Sequence, residues 1–387
     1  MYSINFLYLS LVFITYTHCH LAINSTKVGG SLSLYLSIGE HFSFFRINQA
    51  LNFTYINSHN STASNKEEIY IKAVKEQGEP LVDTIKANVF IVNDFMFYKV
   101  PTAAKHYLPG YQIGFGFDVI NENYSMIHRL KKQSLISKNE YTLVPGSNVL
   151  DGKMLIGELS DEEISKYSFT SSCKVNSSQW GCHLDSVYYG DISFVFNNTK
   201  YDNEYPMYFQ ISEKDILAPA SFMRFLEKNI FDYYLHIGLC AYIEGIYDYF
   251  ECYQNIIDKI SKTVSFNFNE SILMLGKKDL FECSLNKCKF VIMGNRRINE
   301  WVFGQSFMDH FTITFDYEDK EIKFYSNEYN IKVINLESSF RLVGFAEKMI
   351  VLSLFSALFA LIKIYRYYSI HKRVIKRKDE EKGIELL

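Results

Sequence analysis

Cysteine is the residue type in this chain whose number and spacing point most directly to chemistry. Six cysteines follow the first nineteen residues: Cys173, Cys182, Cys240, Cys252, Cys283 and Cys288. An even number of cysteines in an exported chain predicts three disulfides, with the connectivity open. Metal binding is the alternative, but the cysteines form no CxxC pair and have no histidine at ligand spacing. We therefore predict disulfides and no metal site.

Other reactive residue types exclude several classes of function. The ten histidines include no HxxxH pair for zinc, and the chain has neither a GxSxG elbow nor a glycine-rich phosphate loop. We expect no cofactor. A net charge of −3 and an isoelectric point near 6.4 also predict no nucleic-acid partner, because nucleic-acid-binding proteins carry a basic surface.

The N-terminal residues and the glycosylation sequons both predict that the chain is exported. Residues 1–19 contain an apolar run from Phe6 to Thr15 that is too short to span a bilayer, which is typical of a cleaved signal peptide. A buried N-terminal strand is the alternative. Asn-x-Ser/Thr sequons follow and predict a glycoprotein. Their acceptors are Asn24, Asn52, Asn60, Asn123, Asn176, Asn197 and Asn269.

The C-terminal part predicts a membrane anchor. Met349 to Ile362 is a largely apolar run without charged residues, and its continuation to Tyr368 makes residues 349–368 long enough for a transmembrane helix. All charged residues from Lys363 to Lys378 are basic, so residues 369–387 are expected to be a cytoplasmic tail. We predict a single-pass type I membrane protein of the secretory and endomembrane system or the cell surface. An amphipathic or buried C-terminal helix is the alternative.

The intervening chain predicts a mostly β fold. Stretches such as SLSLYLSIG (31–39), TVSFNFN (263–269) and FTITFDY (311–317) alternate apolar and polar residues with the period of two that a half-buried strand requires. Helical patterns are few. They cover residues 125–133 and 221–230, and the second follows Pro219 with Ser221 as its expected cap.

The segment from Trp301 to Phe324, WVFGQSFMDHFTITFDYEDKEIKF, points to a family. It resembles, without a gap, the closing segment of the pepsin-like aspartic proteases (peptidase A1). The residues in register are Trp301, Gly304, Phe307, Phe311, Phe315, Asp316, Ile322 and Phe324. Gln305 stands in place of the usual Asp. Residues 114–116, 128–143, 152–159 and 180–190 are similar to further family segments in the same order.

This resemblance implies a bilobal pepsin-like acid protease fold, with two β-rich lobes around a cleft. We expect the N-terminal lobe at residues 26–170 and the C-terminal lobe at residues 171–335. As in the family's C-terminal lobe, Cys252 is expected to pair with Cys283. The pairs Cys173–Cys182 and Cys240–Cys288 are expected beside it.

The family's chemistry depends on two aspartates, one from each lobe, each in an Asp-Thr/Ser-Gly loop. The two carboxyl groups share a proton and activate a water molecule. That triplet occurs nowhere in this chain. The resemblance places Asn48 at the first position, in Asn48-Gln49-Ala50, and Gln210 at the second. An amide cannot take a proton from water near neutral pH, so we expect no catalytic residue at either position.

The resemblance also implies which residues lie around the cleft. The flap hairpin is expected at about residues 69–82, where Ile71 falls at the family's tyrosine and Tyr70 lies one place away. Tyr55 falls where an aromatic residue follows the first loop, and Glu213 is an acid close to the second. We take these four residues as cleft or flap candidates.

These features favour a pseudoprotease whose cleft binds a luminal or extracellular peptide or protein. An active aspartic endopeptidase with divergent site residues is one alternative. An endomembrane or cell-surface receptor, with a tail that is recognised in the cytoplasm, is the other.

Overall fold

Strands dominate the structure, a computed structural model. It describes residues 21–28, 31–38, 41–58, 67–71, 74–101, 111–117, 122–146, 151–175, 178–194, 205–268, 271–297 and 299–326. The predicted signal peptide, membrane helix and tail lie outside these ranges, as do Asn60, Asn176, Asn197 and Asn269. Within these ranges, no helix is long and apolar enough to cross a membrane.

The N-terminal half consists mainly of ten strands. They are β1 Leu21–Val28, β2 Ser31–Ile38, β3 His41–Asn48, β4 Tyr55–Ser58, β5 Glu67–Ile71, β6 Val74–Ala87, β7 Phe90–Pro101, β8 Tyr111–Gly114, β9 Glu140–Pro145 and β10 Asp151–Ile156. The alternating sequence explains their placement: in β2, Leu34 and Leu36 are buried and Tyr35 between them is exposed.

The C-terminal half adds sixteen shorter strands. They are β11 Ser168–Lys174, β12 Gly181–Leu184, β13 Ser186–Tyr189, β14 Ile192–Phe194, β15 Tyr205–Phe209, β16 Ile216–Pro219, β17 Cys240–Ile243, β18 Tyr249–Tyr253, β19 Val264–Phe268, β20 Ser271–Leu275, β21 Phe281–Ser284, β22 Lys287–Phe290, β23 Ile292–Asn295, β24 Trp301–Phe303, β25 Thr312–Asp316 and β26 Glu321–Ser326. The mostly β prediction is confirmed.

Six short α-helices lie between the described strands: α1 Met126–Lys132, α2 Asp161–Ile164, α3 Ala220–Leu226, α4 Asp232–His236, α5 Ile257–Ile260 and α6 Gln305–Met308. The expected helix at 125–133 is confirmed. The helix expected at residues 221–230 begins at Ala220 as α3, so the prediction of Ser221 as its cap was wrong. Pro219 is the N-cap with φ −56°, a backbone angle already suited to helix entry. The Ser221 hydroxyl is buried and has no hydrogen-bond partner.

One thirteen-stranded sheet runs through both halves, in the order β11-β26-β25-β9-β10-β1-β2-β3-β8-β4-β7-β6-β5. The halves meet where β9 pairs with β25, with Tyr141 opposite Phe315. Three smaller sheets belong to the C-terminal half: β12-β15-β24-β16-β23, β14-β13-β19-β20 and β17-β18-β22-β21. The two halves therefore share one continuous sheet.

A buried cluster of charges stabilises this junction. The Asp316 carboxylate accepts hydrogen bonds from Lys138 Nζ at 2.5 Å and from Lys323 Nζ at 2.9 Å, and Lys138 Nζ lies 3.4 Å from Glu140. Burial raises the pKa of Glu140 to about 7, with Lys138 opposing the shift and Asp316 adding to it. Burial also disfavours ionised Asp316, but hydrogen bonds from the Asp319 backbone and from both lysines outweigh it and hold the Asp316 pKa well below its usual range.

Three disulfides are present in the described residues, as predicted, but two of the expected pairings were wrong. Cys173–Cys182 is confirmed. The other pairs are Cys240–Cys252 and Cys283–Cys288, in place of Cys252–Cys283 and Cys240–Cys288. The reason is strand register, since each observed pair lies directly opposite within one hairpin, β17-β18 or β21-β22.

Candidate functional site

The first candidate loop, Asn48–Thr54, lies between two strands that contact the same neighbour. β3 runs parallel to β8 and brings Asn48 opposite Gly114, whereas β4 runs antiparallel to β8 with Tyr55 opposite Gln112. Within the loop, the Leu51 N–H donates to the Asn48 carbonyl oxygen at 3.4 Å. The strand β3 thus ends in a turn that starts at Asn48.

The second candidate loop, Gln210–Asp215, has the same frame. β15 runs parallel to β24, with Phe209 opposite Phe303, and β16 runs antiparallel to β24, with Leu217 opposite Val302. The Glu213 N–H donates to the Gln210 carbonyl oxygen at 3.0 Å. By strand arrangement and by turn, Gln210 is therefore the equivalent of Asn48.

A glycine packs closely against the backbone of each loop. Gly114 ends β8, and a Cβ there would overlap the carbonyl oxygen of Phe53 in the first loop. Gly304 follows β24, and a Cβ there would overlap the carbonyl oxygen of Asp215 in the second loop. Because only glycine allows such a close approach of two backbones, the two halves require it at matching places.

One buried side chain joins the two loops. Gln49 is 1% exposed, and its Oε1 accepts a hydrogen bond from the Ile211 N–H at 3.0 Å. Its Nε2 donates to the Tyr141 hydroxyl at 2.9 Å. Gln49 follows Asn48, and Ile211 follows Gln210, so the bond connects the loops one residue beyond each candidate position.

The Asn48 amide is held within its own half. It is 1% exposed, its Oδ1 accepts from the Ala50 N–H at 3.0 Å, and its Nδ2 donates to Gln112 Oε1 at 2.6 Å. The Gln210 amide is half-buried and donates to the Ser212 hydroxyl at 3.2 Å. Both groups are neutral, and of the two the more accessible Gln210 amide can orient a water molecule or a peptide group by hydrogen bonding.

Two carboxylates lie close to the second loop. Glu213 accepts a hydrogen bond from the Tyr247 hydroxyl at 3.4 Å, and Asp215 lies 3.3 Å from Lys289 Nζ. Burial raises the pKa of Asp215, although Lys289 and Lys214 oppose the shift. Burial, together with the charge of Glu213, raises the pKa of Tyr247 to about 12. Residues 48–58 contain no acid, so the first loop supplies no carboxylate to pair with these two.

The remaining cleft and flap candidates lie in different parts of the structure. Tyr55 is 1% exposed and packs with Leu51, Tyr98, Val100 and Tyr124, so it belongs to the core under the first loop. In the region predicted as the flap, β5 pairs antiparallel with β6, with Tyr70 opposite Lys75 and Ile71 opposite Val74. The side chains of Tyr70 and Ile71 lie outside the described part of the structure. Gln305 begins α6 and is buried, and its N–H donates to the Glu213 carbonyl oxygen at 2.9 Å.

Gln49, Gln112 and Tyr141 are parts of the site that the sequence did not predict. Four aromatic residues from both halves pack around the Tyr141 ring, whose hydroxyl accepts the hydrogen bond from Gln49: Phe115, Trp180, Phe315 and Tyr317. Trp180 Nε1 donates to the Phe115 carbonyl oxygen at 2.7 Å, which fixes this cluster beside the turn after β8. The only sequence signal for Gln49 and Gln112 was their position beside Asn48 and Gly114.

Other possible sites lie apart from the loops. A surface groove of about 770 Å³ in the N-terminal half is lined in part by Asn24, Tyr35, Phe44 and Lys153, and neither loop contributes to it. Among the residues that the structure describes, no group of three or more His, Cys, Asp or Glu side chains is placed to hold a metal ion.

The sequons within the described ranges differ in environment. Asn24 is exposed in β1, and Asn52 is half-buried in the first loop. Asn123 is half-buried, and its Oδ1 accepts a hydrogen bond from Arg129 at 3.4 Å.

Comparison with known proteins matches this architecture. The crystal structure of an aspartic proteinase from Irpex lacteus aligns with a TM-score of 0.62, covering 80% of this chain and 98% of that chain at 11% identity, which shows a shared fold. No curated protein matches the chain significantly. A sequence model of the eukaryotic aspartyl protease family matches residues 46–326, a span that holds both loops, the flap hairpin and the closing segment. With two equivalent loops joined across a bilobal, mostly β body, the chain belongs to the eukaryotic aspartyl protease family.

Proposed function

We propose that this chain is a catalytically inactive member of its family, a pseudoprotease whose cleft binds a peptide or protein without cleaving it. One observation carries the proposal. Asn48 and Gln210 stand at equivalent positions of two loops that Gln49 ties together, and both are amides.

The chemistry of two carboxylates explains why these amides matter. Hydrolysis needs one ionised carboxylate to take a proton from water and one protonated carboxyl to polarise the peptide carbonyl. An amide does not ionise near neutral pH and can do neither. The Asn48 amide is also engaged on both sides, by Ala50 and by Gln112. The half-buried Gln210 amide can hydrogen-bond to a bound peptide, but neither amide can activate water.

An active endopeptidase would need a carboxylate from each loop. Glu213 and Asp215 could supply one beside the second loop, but residues 48–58 supply none. Their contacts to Tyr247 and Lys289 also lie in the C-terminal half. The described loops therefore lack the pair of carboxylates that hydrolysis requires.

The sequence patterns at the two ends support a location for this cleft. With residues 1–19 as a cleaved signal peptide and residues 349–368 as a single membrane span, the cleft faces the lumen or the cell exterior. The predicted ligand is accordingly a luminal or extracellular peptide or protein.

Peptide capture by the purified full-length chain tests the proposal. We expect a photo-crosslinking peptide library to label the flap hairpin and the two loops, and the labelled peptides to be intact. Ile71→Arg, in the flap hairpin, is expected to weaken capture by about tenfold or more, equal to about 1.4 kcal/mol. Ile246→Arg is the matched control, because Ile246 is 90% exposed and lies outside both loops. Equal capture by the two variants, or recovery of peptide fragments, would contradict the proposal.

A further inference from the structure

Four cysteines lie in one row across the sheet β17-β18-β22-β21. Cys240 is opposite Cys252, Cys252 is opposite Cys288, and Cys288 is opposite Cys283. Directly opposite residues of an antiparallel pair project from the same face, with Cβ atoms about 4.5–5.5 Å apart. The two disulfides therefore lie side by side, and Cys252 and Cys288 are the neighbours between them.

The row has one exposed end. Cys252 and Cys288 are 1% and 0% exposed, and Cys240 is 6% exposed, whereas Cys283 is exposed to solvent. Cys283 also stands close to the tip of the β21-β22 hairpin, where Leu285 is 94% exposed. A thiol from solution can therefore reach Cys283, while the two central sulfurs are shielded.

We propose that this row is a thiol–disulfide exchange site, and that its reaction partner is a dithiol, either a small molecule or a protein thiol pair. A thiolate of the partner attacks the sulfur of Cys283, forming a mixed disulfide and releasing Cys288 as a thiolate. Cys288 then attacks the sulfur of Cys252, forming Cys252–Cys288 and releasing Cys240, which takes a proton from solvent. The second thiol of the partner attacks the mixed disulfide and leaves as the oxidised partner, and Cys283 becomes a thiol.

This sequence balances as a two-electron reduction. Two disulfides and one dithiol become the single disulfide Cys252–Cys288, two thiols at Cys240 and Cys283, and one oxidised partner. The exchange requires little movement, because the Cβ separation of opposite residues is close to the range of about 3.5–4.5 Å in a disulfide.

The Cys252–Cys288 disulfide links different strands from the two disulfides that it replaces. Cys240–Cys252 and Cys283–Cys288 each close a short hairpin, with sequence separations of 12 and 5. Cys252–Cys288 joins the two hairpins to each other and closes a longer loop, which costs the unfolded chain more entropy. One central disulfide can thus replace two peripheral ones while the sheet stays covalently joined.

Removing either end of the row tests the proposal without any added reductant. In Cys283→Ser, the Cys288 thiol lies beside an intact Cys240–Cys252 bond. We expect peptide mapping of the native full-length chain to find Cys252–Cys288 and an alkylated Cys240. Cys240→Ser should give the same central disulfide with an alkylated Cys283. Cys173→Ser is the matched control, because Cys182 lies in another sheet and should leave both row disulfides unchanged.

Two results would overturn the proposal. The first is a Cys283→Ser chain in which Cys240–Cys252 is retained and Cys288 stays a thiol. The second comes from the unsubstituted chain treated with limiting dithiothreitol, which does not depend on how the variants fold. There we expect alkylation of Cys240 and Cys283, and alkylation of Cys283 together with Cys288 would contradict the exchange.

Discussion

The two candidate loops have the same backbone frame but differ in how their side chains are held. The first is closed: Asn48 and Gln49 are both buried, and hydrogen bonds to Gln112 and Tyr141 occupy their amides. The second is more open, because Gln210 is half-buried and is bonded to the neighbouring Ser212. The shared frame therefore depends on strand pairing and glycine, whereas the side chains at the two equivalent positions differ in burial and in hydrogen-bond partners.

The largest expected effect tests whether the frame is shared. Gly114→Ala and Gly304→Ala each place a Cβ against a loop carbonyl oxygen, so we expect each to lower the free energy of unfolding by at least about 3 kcal/mol. Gly245→Ala is the control, since its Cβ would lie 3.4 Å from the Tyr247 carbonyl oxygen, and should cost less than about 1 kcal/mol. Urea denaturation measures all three. If Gly114→Ala lowered the free energy of unfolding as expected and Gly304→Ala did not, the two loops would not be equivalent.

The next effect tests the connection between the loops. Gln49→Ala leaves the buried Ile211 N–H and Tyr141 hydroxyl without their partner, and we expect a loss of about 2–4 kcal/mol in unfolding free energy. Ser212→Ala removes the hydroxyl that accepts from Gln210 in the more open loop and should cost less than about 1 kcal/mol. Similar losses in the two variants would mean that the first loop is not the more closed one.

A pH titration tests the junction of β9 and β25, which the first loop contacts through the Gln49–Tyr141 hydrogen bond. The folded pKa of Glu140, about 7, lies above its ordinary 4.5, so its stabilising contribution is fully present below pH 4.5 and is lost as pH rises towards 7. We expect the unfolding free energy to fall across this window by up to about 1.4 kcal/mol per pH unit. Glu140→Gln should flatten the decline. An unchanged slope in that variant would assign the pH dependence to other groups.

The smallest expected effect concerns the acid beside the second loop. Tyr247→Phe removes the 3.4 Å hydrogen bond to Glu213, and we expect a loss of less than about 1 kcal/mol in thermal or urea unfolding. Peptide capture should be unchanged. A large loss of capture would show that Glu213 takes part in ligand binding, and the second loop would then be the functional one of the two.

The sequence predicted the features that depend on local pattern. The alternation around Tyr35 predicted strand β2, and Trp301, Phe307, Phe315 and Phe324 of the closing segment are all fully buried. Aromatic residues at fixed spacing can be recognised as core positions because burial demands them. The mostly β fold, the helix at 125–133 and Cys173–Cys182 followed from such patterns or from the resemblance that they carry.

The sequence did not predict features that depend on register and on distant contacts. Cys252 faces both Cys240 and Cys288 across adjacent strands, and spacing along the chain cannot say which of them it bonds. Gln49 gave no sign that it would reach Tyr141, which lies 92 residues away in the chain. Tyr55 was placed at the cleft by its position after the loop, but the pairing of β4 with β7 and β8 buries it.

Cleavage of a denatured protein at acid pH, with and without a transition-state peptide inhibitor, tests the central claim most directly. We expect the purified full-length chain to show no inhibitor-sensitive cleavage, because neither Asn48 nor Gln210 can ionise. Inhibitor-sensitive cleavage by the unsubstituted chain would contradict it. If Glu213→Gln or Asp215→Asn then abolished that cleavage, the second loop would supply the carboxylate of an active protease.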